Sequence, residues 1–270
     1  MNMENMKPHE RIIFPLDVSN VEEATKLVEQ LAPHVGFFKI GFEAIYSAMA
    51  DLLLLPDKKI VHYLWQLRYL AEKITAQKAF LDVKLNDIPN TVEKAVKAIV
   101  RLKPKMLNVH ASAGKEAITR AFANKGDSLL FGVTVLTSID KDECFSIFGD
   151  DPDCKVPDFA EMLVIKGADG VICAPKEGLL LRGDTYFDKL IVACPNVRPE
   201  WATTKKERDR VKDDQNVERQ MTPSEAIEAG IDMLVIGRPI LNPPAEIGGP
   251  VEAAKKIAAE IEEALKNKEE

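Results

Sequence analysis

The chain has 270 residues, 46% hydrophobic and 29% charged, and its 36 Lys and Arg against 43 Asp and Glu give a formal net charge of −7. This excludes a small disulfide-stapled scaffold and a disordered chain, and leaves ample sequence for a buried core. The acidic balance argues against a broad nucleic-acid surface, so any phosphate the protein binds is expected to be small.

Cys144, Cys154, Cys173 and Cys194 form no Cys-x-x-Cys pair, and His9, His34, His62 and His110 are scattered, so no metal site is expected. Met1–Glu10 is polar and lacks the apolar core of a signal peptide, and no stretch approaches the roughly 20 apolar residues of a membrane span. A soluble cytoplasmic protein is expected, with no membrane and no nucleic-acid partner. It is read as a single domain over 1–270, with 1–10 and 266–270 as flexible ends.

After the lead-in, Ile12–Val18 is the first short apolar run with strand character. Ser19-Asn20-Val21-Glu22 then resembles a capping box opening a helix. Gly36–Phe42 is the second strand, and Glu43–Gln77 holds about two helices, the latter with Ile60, Leu64, Leu67 and Ile74 as its core-facing stripe. Ala79–Lys84 is the third strand, followed by a second capping-box signal at Asn90-Thr91-Val92-Glu93. Met106–Ala111 and Leu129–Thr137 are the fourth and fifth strands, and acidic, turn-rich Ser138–Pro157 is expected as a long loop. Gly170–Ala174 and Leu190–Val197 precede a second long, charged loop, Pro199–Gln220. Thr222-Pro223-Ser224-Glu225 caps a further helix before the eighth strand, Met233–Arg238.

Strands separated by helices read as βαβ units, and eight right-handed crossovers close a (β/α)₈ TIM barrel of about 250 residues. An open doubly wound sheet is less favoured because no Gly-x-Gly-x-x-Gly opens the first helix. In a barrel, the two long loops after strands 5 and 7 lie at the C-terminal mouth, where such enzymes carry lids.

The chemistry-bearing signal is charge where a core strand should have none. In Phe80-Leu81-Asp82-Val83-Lys84-Leu85, alternation puts Leu81, Val83 and Leu85 under the helices and Asp82 and Lys84 inside the barrel. Asp17, Lys39 and His110 likewise end the first, second and fourth strands. Burying charge is costly without arranged partners, so this array is expected to be catalytic. Past strand 8, Gly237-Arg238-Pro239 offers a guanidinium fork where barrel enzymes commonly hold phosphate.

These segments, with Phe38-Lys39-Ile40-Gly41, Asp87-Ile88-Pro89-Asn90-Thr91, Asn108-Val109-His110-Ala111, Val133 to Ser138, Pro195 to Pro199 and Asp213-Asp214-Gln215, occur in the order found in one family. From Ile12 to Ile240 the chain resembles the orotidine 5′-phosphate decarboxylases. The resemblance implies a homodimer that converts orotidine 5′-phosphate to uridine 5′-phosphate without metal or organic cofactor. By it, Lys84 protonates the carbon that loses CO₂, and Asp82 lies beside the departing carboxylate. Lys39 holds Asp82 and the ribose, and Asp17 binds a ribose hydroxyl. Asp87 and Thr91 reach into the neighbouring subunit's site. Thr137 or Ser138 meets the pyrimidine, and Gln215 spans base and phosphate from a mobile loop. Arg238 with Gly237 grips the phosphate, and Arg198 is a further ligand contact. Asn86 and Asn196 stand where the family usually has His and Gly, and Asn196 leaves the local backbone path open. A sister group of sugar-phosphate barrels shares Asp-x-Lys-x-x-Asp but works through a metal-stabilised enediolate. A non-catalytic nucleotide-binding barrel is a further alternative.

Overall fold

The computed structural model describes residues 3–204, 206 and 215–269. Asp213 and Asp214, singled out above, lie outside them. Eight parallel strands close a barrel in sequential order: β1 (Ile12–Pro15), β2 (Phe37–Ile40), β3 (Ala79–Leu85), β4 (Met106–His110), β5 (Leu129–Val133), β6 (Gly170–Ile172), β7 (Ile191–Cys194) and β8 (Met233–Val235). Closure is made by β1 and β8, with Ile12 opposite Leu234 and Ile13 opposite Val235. The expected (β/α)₈ architecture is therefore the one observed.

The helices are α1 (Val21–Leu31), α2 (Phe42–Leu54), α3 (Asp57–Lys78), α4 (Pro89–Ile99), α5 (Lys115–Asn124), α6 (Lys141–Phe148), α7 (Pro152–Ile165), α8 (Pro175–Arg182), α9 (Pro223–Glu228), α10 (Arg238–Leu241) and α11 (Pro250–Glu269). No helix is long and apolar enough to cross a membrane among the described residues.

Four local expectations are corrected. Ser138–Pro157 carries α6 and the start of α7: Asp140 Oδ1 accepts from the Glu143 amide at 2.8 Å, left-handed Gly149 (φ 76°) ends α6, and Pro152 opens α7. These are helix punctuation marks rather than loop residues. Asn90 caps nothing, because Pro89 already begins α4 and Ile88 is its cap. On α3 the inward stripe includes buried Tyr63 and Ile74, whereas Leu64 is 49% exposed. At Ser19-Asn20-Val21-Glu22 a cap is present but the box is not: Asn20 rather than Ser19 is the N-cap, its Oδ1 accepting from the Glu22 and Glu23 amides, while Thr222 forms the expected reciprocal capping box with Glu225.

Strand alternation builds two cores. Outward residues such as Phe14, Phe38, Leu107, Leu130 and Val192 pack beneath the helices. Inward Ile13, Phe37, Phe80, Met106, Phe131 and Met233 fill the barrel and make an apolar floor. Two residues farther along the same faces, Phe37 gives way to Lys39, Phe80 to Asp82 and Met106 to Asn108. The polar mouth thus rests on a packed base.

Candidate active site

A cleft of about 310 Å³ opens at the C-terminal mouth of the barrel. Asp17, Lys39, Asp82, Lys84, Thr137, Ser138, Arg198, Gln215, Gly237 and Arg238 all line it. Asp87 and Thr91 do not; both are exposed, on the loop after β3 and in the first turn of α4. Among the described residues no ion pair joins Asp87 to Lys84, and Asp87 Oδ1 accepts from the Ile88 amide at 2.7 Å.

Asp82 is the hub. Its Oδ2 lies 2.9 Å from Lys39 Nζ and 2.7 Å from Lys84 Nζ, while Asp17 Oδ1 is 3.4 Å from Lys39 Nζ. The second Asp82 oxygen, Oδ1, accepts from Asn108 Nδ2 at 2.6 Å. Burial alone would raise the Asp82 pKa, but Lys39 and then Lys84 overcome it and hold the carboxyl at about 2. Burial likewise opposes the charge on Lys39, yet Asp82 and Asp17 outweigh it and raise its pKa. At neutral pH Asp82 is therefore ionised and Lys39 protonated. Gly41 permits this packing, since a Cβ there would lie 3.2 Å from Lys39 Nζ and 3.3 Å from Asp17 Oδ1. Burial, followed by the Lys84 charge, lowers the pKa of His110 against the opposing pull of Asp82.

The third strand is less regular than alternation implies. Leu81 pairs with Leu107 and Leu85 with Val109, so β3 carries two residues more than β4 across this stretch. The excess is taken up in a bulge in which Lys84 adopts a left-handed conformation (φ 43°). Asp82 and Lys84 still face the cleft, but Val83 and Leu85 are only half-buried.

Across the cleft, Thr137 is buried and its hydroxyl donates to Gln215 Oε1, whereas Ser138 is exposed. Asn196 is left-handed (φ 66°), a conformation Asn tolerates better than most residues, and its Nδ2 donates to the Asn216 carbonyl at 2.7 Å. Arg198 is buried, with Nη1 donating to the Val197 carbonyl at 3.1 Å. Gly237 has a reason beyond ligand approach: a Cβ there would lie 2.6 Å from Pro15 Cγ, where β8 runs into the first strand.

Sequence reasoning missed the buried pair that supports this side. Arg219 Nε and Nη2 donate to Glu177 Oε1 and Oε2 at 2.8 and 3.1 Å, and Nη1 donates to the Leu136 and Ile139 carbonyls, each at 2.8 Å. The guanidinium therefore ties α8 to the loop carrying Thr137 and Ser138. Removing one member leaves a buried charge unpaired, which costs about 3–5 kcal/mol. Arg219→Met is expected to lose that much in urea unfolding, and an unchanged midpoint would contradict the role.

The fold and site define an enzyme of the barrel class, with charged strand ends and two arginines lining one cleft at the C-terminal mouth. The chain belongs to the orotidine 5′-phosphate decarboxylase / HUMPS family, whose model matches residues 10–257. It is 35% identical over 264 residues to the orotidine 5′-phosphate decarboxylase of Gloeothece citriformis, covering 94% of this chain and 99% of that one. The namesake enzyme of Moorella thermoacetica is 34% identical over 271 residues, covering 96% and 95%. Among solved structures, the orotidine 5′-phosphate decarboxylase of Lactobacillus acidophilus superposes with a TM-score of 0.67 at 28% identity, covering 93% of this chain and 98% of that one.

Proposed function

We propose that this protein is a carboxy-lyase that converts orotidine 5′-phosphate to uridine 5′-phosphate and CO₂, the closing step of pyrimidine nucleotide synthesis. The observation that carries the reading is the Lys84 ammonium, held 2.7 Å from Asp82 inside a cleft whose lining also includes Arg238. When the C6–CO₂ bond breaks, its electron pair remains in the plane of the pyrimidine, where the ring cannot delocalise it. A preorganised ammonium stabilises that charge without reorganising and then transfers a proton to C6. The neutral amine left behind regains its proton from solvent.

Asp82 faces the departing carboxylate with like charge. At about 4 Å and an effective dielectric near 20, this repulsion is on the order of 4 kcal/mol, against the roughly 8–23 kcal/mol that enzymes supply. Repulsion alone is too small, so most of the remainder is transition-state stabilisation, with phosphate binding far from the bond used to hold the site closed. Lys39 and Asp17 hold the ribose, Thr137 with Gln215 and Ser138 faces the base, and Arg238, Gly237 and Arg198 take the phosphate end.

The active form is a homodimer in which Asp87 and Thr91 complete the partner's site. Supporting this, both are exposed and neither lines its own cleft. Phe42, Tyr46 and Met49 of α2 are 47%, 60% and 51% exposed, and the Phe42 ring lies 5.5 Å from Lys84 Nζ, so an apolar surface borders the mouth. Mixing inactive Lys84→Ala with inactive Asp87→Ala is expected to restore activity through hybrid dimers. Continued inactivity after subunit exchange would refute shared sites. Four free thiols suit work in the cytoplasm.

The test of the reaction is the ultraviolet absorbance of orotidine 5′-phosphate mixed with the protein in EDTA, since decarboxylation alters the chromophore. Consumption is expected. Uridine 5′-phosphate binding without consumption would leave a nucleotide-binding barrel, and turnover of sugar phosphates only with Mg²⁺ would place the protein with the sister group.

A further inference from the structure

We infer that Asn108 is a positioning residue that sets the geometry between Asp82 and Lys84. The inference rests on the catalytic roles proposed for those two groups. Asn108 is on the inner face of β4, fully buried, and its two amide atoms contact different parts of the site. Nδ2 donates to Asp82 Oδ1 at 2.6 Å, and Oδ1 accepts from the Lys84 backbone amide at 2.7 Å.

Each contact resolves a specific problem. Both ammonium groups converge on Asp82 Oδ2, so the donor at Oδ1 fixes the rotation of the carboxylate and keeps Oδ2 between Lys39 and Lys84. In the two-residue bulge of β3, the backbone of Lys84 departs from regular pairing, and its amide is satisfied by a side chain instead. The left-handed turn that aims the lysine is thereby held by the same residue that aims its counter-ion. Only a side chain with a donor and an acceptor on one planar group does both.

Asn108→Asp separates this role from simple core filling. The substituted carboxylate keeps an acceptor for the Lys84 amide but, when ionised, faces Asp82 with like charge. When protonated, its hydroxyl can replace the lost donor. The charged and titratable groups facing Asp82 are Asp17 after β1, Lys39 of β2, Lys84 of β3 and His110 of β4, all shared with the parent enzyme. Comparing variant with parent at each pH removes the part of the profile that these groups give both enzymes and leaves the part the new carboxyl adds.

At pH 8, Asn108→Asp is expected to lower kcat about 10- to 100-fold with KM within about threefold. The deficit relative to the parent should shrink at least about fivefold by pH 5.5, as a carboxyl forced beside another takes up a proton. Asn108→Leu should lose kcat at every pH without that recovery. Calorimetry should show uridine 5′-phosphate binding to Asn108→Asp within about threefold of the parent's affinity, because the phosphate grip is intact. A pH-independent deficit, a loss confined to KM, lost nucleotide binding or unchanged kcat would each overturn the inference while the parent remains active. A parent that leaves orotidine 5′-phosphate intact would instead overturn the functional reading, and the inference with it.

Discussion

Lys84→Ala is expected to reduce decarboxylation by about 10⁵-fold or more while leaving a folded protein that still binds uridine 5′-phosphate. Losing an ammonium about 4 Å from a developing carbanion forfeits on the order of 4 kcal/mol, nearly a thousandfold, and loss of the proton donor removes a further 10²–10⁴-fold or so. Folding survives because Asp82 keeps Lys39 at 2.9 Å and Asn108 at 2.6 Å, so its carboxylate is not stranded. The left-handed backbone at residue 84 is equally demanding for Lys and Ala, so the exchange adds little strain there. Single-turnover absorbance at saturating enzyme, alongside thermal unfolding, separates the outcomes. An active variant would remove Lys84 from the chemistry, and an unfolded one would assign it to the architecture.

Arg238→Ala is expected to lower kcat/KM by about 10²–10⁴-fold. Hydrogen bonds to a charged group contribute about 1.5–3 kcal/mol each, and a guanidinium can make two to a phosphate. Phosphate binding also lowers the barrier at a distant bond if it is used to hold the site closed, so part of the loss should appear in kcat. Steady-state kinetics over a wide substrate range measures both components. An unchanged kcat/KM would place the phosphate elsewhere.

How far the site was legible depends on the range of the signal. Period-two alternation places Asp82 and Lys84 inside the barrel, because one strand decides the case, whereas Lys39 is legible only as a charge near the end of the second strand. The bulge at Lys84 was illegible, since it arises from an unequal count between β3 and β4 that neither strand reveals alone. Asn108 carries a readable signal, an amide midway along an apolar strand between Met106 and His110, that marks a motif position but assigns it no role. Arg219 and Glu177 lie on different elements and share no period, so only the folded chain brings them together. Ser138–Pro157 was misread because Asp, Gly and Pro punctuate helices as well as loops.

The seam between β1 and β8 also bears on how activity arises. Pro15 packs against Gly237, so Arg238 is seated beside the first strand by the last one to be made. Asp17 and Arg238 come from opposite ends of the sequence, yet they line one cleft. A chain still emerging from the ribosome can carry the Lys39, Asp82 and Lys84 cluster well before Arg238 joins the cleft. Such long-range pairing is slow to form, which makes recovery of turnover after dilution from denaturant a reporter of ring closure rather than of early collapse.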